Sequence, residues 1–150
     1  MSEVGVITGS ISDSVIMDYC TDTLTEHKID YDTVVASAHR DPDKVRDWVK
    51  EASDRGNKII IAGAGMSAAL PGVVASYTDL PVIGVPMKSE LSGLDSLLSI
   101  SQMPRGVPVA CMAIGMHGAI NAALFAKRIL DQIAKPITKL GAESLGYNDI

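Results

Sequence analysis

Five short runs of apolar, largely β-branched residues punctuate the chain: VGVIT at 4–8, YDTVVA at 31–36, KIIIA at 58–62, PVIGV at 81–85 and VPVACMAI at 107–114. Runs this short and this apolar read as buried strands. Between them the period changes. Val15, Ile16, Tyr19, Cys20, Thr23 and Leu24 recur at helical spacing, as do Val45, Trp48, Val49 and Ala52, so each segment predicts a helix with one face on a sheet. A last helix is predicted over 118–134 from Ile120, Leu124, Ile129, Leu130 and Ile133, with Pro136 just past its end.

Strands that alternate with helices imply parallel strands, right-handed crossovers and helices on both faces. The expected fold is therefore α/β, a flavodoxin-like three-layer sandwich around a parallel five-stranded doubly wound sheet. A chain of 150 residues makes one domain, here residues 1–135, with the polar stretch 136–150 as a tail.

Composition removes several function classes. No apolar run approaches the ~20 residues that cross a bilayer, so no membrane partner is expected. The start, MSEVGVITGS, has neither the basic stretch nor the long apolar core of an export signal, which makes a cytoplasmic protein the expectation. A net charge of -5 without a Lys/Arg cluster argues against nucleic acid. Cys20 and Cys111 form no CxxC pair and no His/Cys cluster of zinc spacing, so both are expected to be reduced and buried, with no structural metal. Few aromatics are present to stack a base or a flavin.

In a doubly wound sheet, ligands bind outside the carboxyl ends of the strands, where strand order reverses. The segments there are TGSISD (8–13), SAHRDP (37–42), GAGMSAALPG (63–72), PMKSELSGLDS (86–96) and GMHG (115–118). Ser10, Ser12, Asp13, His39, Arg40 and the 63–65 turn are expected to converge on a small-molecule site. Ser12 or Asp13 can cap the following helix, whose N-terminus also favours a phosphate. Asp41 before Pro42 reads as another helix start. Arg40 offers a planar set of donors for phosphate oxygens, although an arginine at a helix start is often only solvated. His39 can give and take a proton near neutral pH, and a surface-loop histidine is its bland alternative. His27 falls on the wrong side, and His117 follows an expected edge strand.

GAGMSA fits G-x-G-x-x-A, but it follows the third strand rather than the first and lacks the acidic partner of a dinucleotide site. No GxxxxGK[ST], GxSxG or HExxH occurs, so P-loop, common hydrolase and zincin chemistry are unsupported.

With these loops assembled, the chain resembles the N5-carboxyaminoimidazole ribonucleotide mutase family of purine biosynthesis, whose members are also described as the catalytic subunit of phosphoribosylaminoimidazole carboxylase. GSISD is similar to the family's GSxSD and SAHRDP to its SAHRTP, while LPVIGVP, GLDSLLSISQMPRGVPVA and GAINAALFA match longer stretches. The resemblance covers roughly residues 4–133. It implies a cofactor-free enzyme that moves a carboxylate on a phosphoribosyl imidazole by decarboxylation and recarboxylation, with His39 as proton shuttle. By the same resemblance Ser10, Ser12, Asp13, Ser37, Ala38 and Arg40 bind the substrate, Gly63, Ala64, Gly65, Ala69 and Leu70 wall off its carboxylate, and the chain forms a homo-oligomer, an octamer.

One departure bears on the carboxyl donor. Where the mutase pattern reads GAGGAAHLPG, this chain reads GAGMSAALPG, with Ala69 in place of histidine. That loop is similar to the SNALSG-like sequence of relatives that carboxylate aminoimidazole ribonucleotide directly with CO2, so direct carboxylation is the alternative. A non-catalytic flavin or nucleotide module, and an inactive subunit of a mixed assembly, are further readings. The segment 89–106 carries Leu94, Leu97, Leu98 and Ile100, an apolar face for a neighbouring subunit or for its own sheet.

Overall fold

A computed structural model describes residues 1–135; the expected tail at 136–150 lies outside the described residues. The order is β1 (Val4–Thr8), α1 (Ile11–Glu26), β2 (Tyr31–Val35), α2 (Pro42–Lys50), β3 (Ile59–Ala64), α3 (Leu70–Ala75), β4 (Val82–Pro86), α4 (Leu94–Ser101), β5 (Ala110–Cys111) and α5 (Met116–Ile133). The five strands form one parallel sheet in the order β2-β1-β3-β4-β5, the expected doubly wound arrangement.

Period-two alternation splits the sheet side chains between two cores. Val4, Val6, Ile59, Ile61, Ile83 and Val85 pack against α1 and α5, through Met17, Cys20 and Leu24 on one helix and Ala119, Ala122, Ala123 and Ala126 on the other. Ile7, Ile60, Ala62 and Val82 pack against α2, α3 and α4, through Val45, Val49, Leu70, Val74 and Ile100. β1, β3 and β4 are buried throughout, as runs covered on both faces must be.

The edges depart from expectation. β2 is half-exposed because β1 is its only neighbour among the described residues, and β5 is a two-residue ladder instead of the eight-residue run 107–114. Pro108 has no N–H to donate, the chain meets β4 at Ala110 and Cys111, and just beyond that ladder Met112 N–H reaches the Gly84 carbonyl (2.9 Å) and Gly115 N–H the Pro86 carbonyl (2.8 Å). α1 is rotated from the predicted face: Met17, Cys20, Thr23 and Leu24 are buried, whereas Val15 and Tyr19 are exposed. On α4, Ile100 packs on its own sheet while Leu94 and Leu98 face solvent. Cys20 is buried, its thiol pushed up to about 12 by desolvation, but Cys111 is only half-buried on the edge strand.

At the amino ends of the strands the polar groups satisfy one another. Arg55 Nε donates to Asp32 (3.0 Å), its Nη2 donates to the Trp48 carbonyl (2.8 Å), and the guanidinium lies 4.4 Å over the Trp48 ring. Buried Asn57 donates to Asp32 (2.7 Å) and to Ser2 (3.0 Å). This end is knit for stability.

Gly118 sits buried in the first turn of α5, where an added Cβ would run into the carbonyl oxygen of Ala113. Backbone cannot swing away as a side chain can, so Gly118→Ala is expected to cost about 2–4 kcal/mol. A urea midpoint unchanged from wild type would show that α5 can shift freely against the β5 connection.

Candidate active site

The loops at the carboxyl ends leave from anchored strands. Ala36 N–H donates to the Thr8 carbonyl (3.0 Å), Gly9 N–H to Gly63 (3.0 Å) and Met87 N–H to Ala64 (2.9 Å), so β2, β1, β3 and β4 are tied together directly beneath the rim. Above these ties the first four loops open.

The SAHRD turn explains its own sequence. Ser37 is buried, and its Oγ accepts the backbone N–H groups of His39 (3.3 Å) and Arg40 (3.2 Å). Asp41 was expected to cap α2. Its carboxylate instead turns back to accept the Ser37 N–H (3.3 Å), and α2 starts on Pro42 without a side-chain cap. Serine and aspartate thus satisfy the turn from within, leaving the side chains of His39 and Arg40 exposed.

In GSISD the capping residue is Ser10, not Ser12 or Asp13. Its Oγ accepts the Asp13 N–H (3.3 Å) and lies 2.8 Å from Ser12 Oγ. The Asp13 carboxylate is half-buried and faces the third loop. A Cβ placed on Gly65 would stand 3.8 Å from Asp13 Oδ1 and 3.3 Å from Met87 Cβ, so glycine lets the backbone pass between the first loop and β4. Met66 follows at a positive φ of 55° with its side chain exposed.

These loops enclose a cleft of about 600 Å³ lined by Ser10, Ser12, Asp13, Ser37, Ala38, His39, Arg40, Ala64, Gly65, Ala69 and Leu70, all singled out from the sequence. Gly63 is not on its wall; it is buried in β3, which runs two residues further than predicted, beneath Met17 and Met87. His117 and His27 are both absent from the wall, His27 being the C-cap residue of α1. The sequence reading missed Gly9, Met66, Ser67, Ala68, Lys88 and Ser89. For Lys88 a signal existed, namely a cation two residues past the end of the fourth strand. A second cavity of about 720 Å³ at the other end, lined by Lys50, Tyr77, Asp79 and Val107 among others, is larger. Chemistry, not size, separates the two: only the first gathers a histidine, an arginine and a helix N-terminus.

Among the described residues the His39 ring has no hydrogen-bonded serine, cysteine or carboxylate, so the arrangement does not build a nucleophile–base relay. It suits proton transfer by a single imidazole beside an arginine whose donors could meet an anion. Nor do the described residues contain a group of three His, Cys, Asp or Glu that could hold a metal ion.

The family model described as AIR carboxylase matches residues 3–142. The chain is 50% identical to the N5-carboxyaminoimidazole ribonucleotide mutase of Bacillus subtilis over 91% of this chain and 85% of that protein. It is 57% identical to the mutase of the same name from Saccharolobus solfataricus over 87% and 82%. Among solved structures, Treponema denticola PurE superposes with a TM-score of 0.78 at 30% identity, covering 88% of this chain and 82% of that one.

Ser37→Ala removes the acceptor of two N–H groups and is expected to lower stability by about 1–2 kcal/mol. Hydrogen exchange should accelerate at the His39 and Arg40 amides and stay slow at Ala36, whose N–H is bonded to Thr8. Unchanged exchange at 39 and 40 would mean that Ser37 does not hold the turn.

Proposed function

The chain belongs to the AIR carboxylase family, and we propose that it acts in purine biosynthesis as a mutase, converting N5-carboxyaminoimidazole ribonucleotide to 4-carboxyaminoimidazole ribonucleotide. The observation that carries this reading is the meeting of GSISD, SAHRD and the 64–70 loop around one cleft, with His39 free on its wall.

The chemistry asks little beyond proton transfer and confinement. Protonated His39 gives its proton to N5 as the N–C bond to the carboxylate breaks, which releases CO2. C4 of the imidazole then attacks that CO2, and the neutral His39 takes the C4 proton, so the histidine ends as it began and no cofactor is consumed. Arg40, Ser10 and Ser12 take the phosphate at the N-terminus of α1, and Asp13 takes ribose hydroxyls. Ala64, Gly65, Ala69 and Leu70, small or apolar, form a wall that keeps water from the CO2. Among the described residues no Phe, Tyr or Trp lines the cleft to sandwich a flavin, which disfavours the flavin-module reading.

A working enzyme here is a homo-oligomer, an octamer, in the cytoplasm, its catalytic domain at 1–135. Ile11, Val15 and Tyr19 form an exposed stripe along α1, and Leu91, Leu94 and Leu98 expose another apolar patch at α4. Solvated singly such residues are ordinary; in rows they favour subunit contacts. No helix of the described residues is long and apolar enough to cross a membrane. Light scattering should return the mass of an octamer, and a monomer at micromolar concentration would overturn the assembly.

The test of function is product formation from N5-carboxyaminoimidazole ribonucleotide, set beside aminoimidazole ribonucleotide with bicarbonate. Preference for the first is expected, with His39→Asn lowering turnover at least about a hundredfold at near-normal stability. Preference for the second would assign direct carboxylation and give Ala69 the decisive part; near-normal turnover by the variant would remove His39 as the shuttle.

A further inference from the structure

Resting on the reading above, the geometry points to Lys88 as the residue that recognises the carboxylate end of the substrate, and so as a specificity determinant of the site. The cleft wall carries two permanent cations, Arg40 and Lys88, against one carboxylate, Asp13, in a chain whose Asp and Glu outnumber Lys and Arg by 18 to 13. Among the described residues neither cation makes a side-chain hydrogen bond or ion pair. Arg55, by contrast, is fully engaged at the opposite end.

Position assigns the two charges different tasks. Arg40 follows β2 and Lys88 follows β4, with the loops of β1 and β3 between them in the sheet order β2-β1-β3-β4. A phosphoribosyl imidazole carboxylate is anionic at both ends, and with its phosphate beside Arg40 and the α1 N-terminus its carboxylate comes toward the β4 side. The wall there is otherwise poor in charge, since Ala69 stands next to buried Leu70.

Lys88 is also held by a built frame. Met87 N–H donates to the Ala64 carbonyl (2.9 Å), and the Met87 carbonyl accepts from the buried Ser96 hydroxyl (2.8 Å). On the other flank Ser89 Oγ donates to the Asp95 carboxylate (3.0 Å). The ammonium therefore starts from a fixed backbone point while its side chain stays exposed and free to meet the ligand.

The experiment measures binding of two probes, 4-carboxyaminoimidazole ribonucleotide and aminoimidazole ribonucleotide, to wild type, Lys88→Met and Lys88→Arg. Lys88→Met should weaken the carboxylated probe about tenfold, leave the uncarboxylated one within about twofold, and be rescued by Lys88→Arg. Equal weakening of both probes would place Lys88 on the phosphate, and no change in either would make it a solvated lysine; each outcome overturns the assignment. Failure of the wild type to bind either probe would instead overturn the functional reading itself.

Discussion

Everything at the rim depends on β1 and β3 lying side by side, covered on both faces. Val4, Ile7, Ile59, Ile60 and Ile61 are inaccessible to solvent, so neither strand can slip by a residue without moving its apolar set into the wrong layer. The register pairs Val6 with Ile61 and Thr8 with Gly63, and the next tie, Gly9 to Gly63, continues it into the loops. The first and third loops are thereby fixed to each other. Because the chain leaves β1 toward β2 on one side and later returns to β3 on the other, the two loops part, and a crevice opens between them.

The two ends of the sheet use polar residues in opposite ways. At the amino end Asp32, Arg55, Asn57 and Ser2 bond one another and Arg55 covers Trp48, so the donors of this cluster are occupied. At the carboxyl end the interior bonds of the SAHRD turn go from Ser37 and Asp41 to backbone, while His39 and Arg40 are left over. Groups that fold the loop and groups left free to meet a ligand are thus different residues within five positions. Such a division lets the imidazole trade protons without loosening the turn, since none of the bonds that shape it involve the ring.

The centre of the fold and most of the cleft were legible because they rest on strong local signals. Buried strands read as continuous apolar runs, and small or polar residues beyond their ends marked the rim. What escaped was set by tertiary context. Val107 and Val109 have strand propensity, yet Pro108 and the lack of an outer neighbour leave only Ala110 and Cys111 in the ladder. Val15 and Tyr19 fit a helical apolar face, but Met17, roughly 160° round the helix from both, joins Cys20, Thr23 and Leu24 in the buried face instead. Asp41 has the chemistry of a cap, and the nearer Ser37 N–H captured it. Lys88 went unremarked because its one signal, a cation just past the fourth strand, is shared by any solvated lysine at a loop start; only the folded cleft shows what it faces.

The third loop sets the polarity of one side of the cleft. The third loop lines the cleft with Ala64, Gly65, Ala69 and Leu70, small or apolar residues that on the proposed reading confine CO2, and adds the Ser67 hydroxyl as a side-chain donor. A site that both releases CO2 and recaptures it needs a mainly apolar wall: tight binding of the carboxylate before cleavage would stabilise the ground state and slow the step. On the proposed assignment the Lys88 ammonium, on the β4 side of the cleft, supplies the charge that draws the carboxylate in, while the third loop adds mainly apolar surface around it. On the same reading, an Ala69 methyl in place of a loop imidazole alters the polarity of the wall and leaves the separate loop that carries His39 as it is, whether the carboxyl group arrives on N5 or as free CO2.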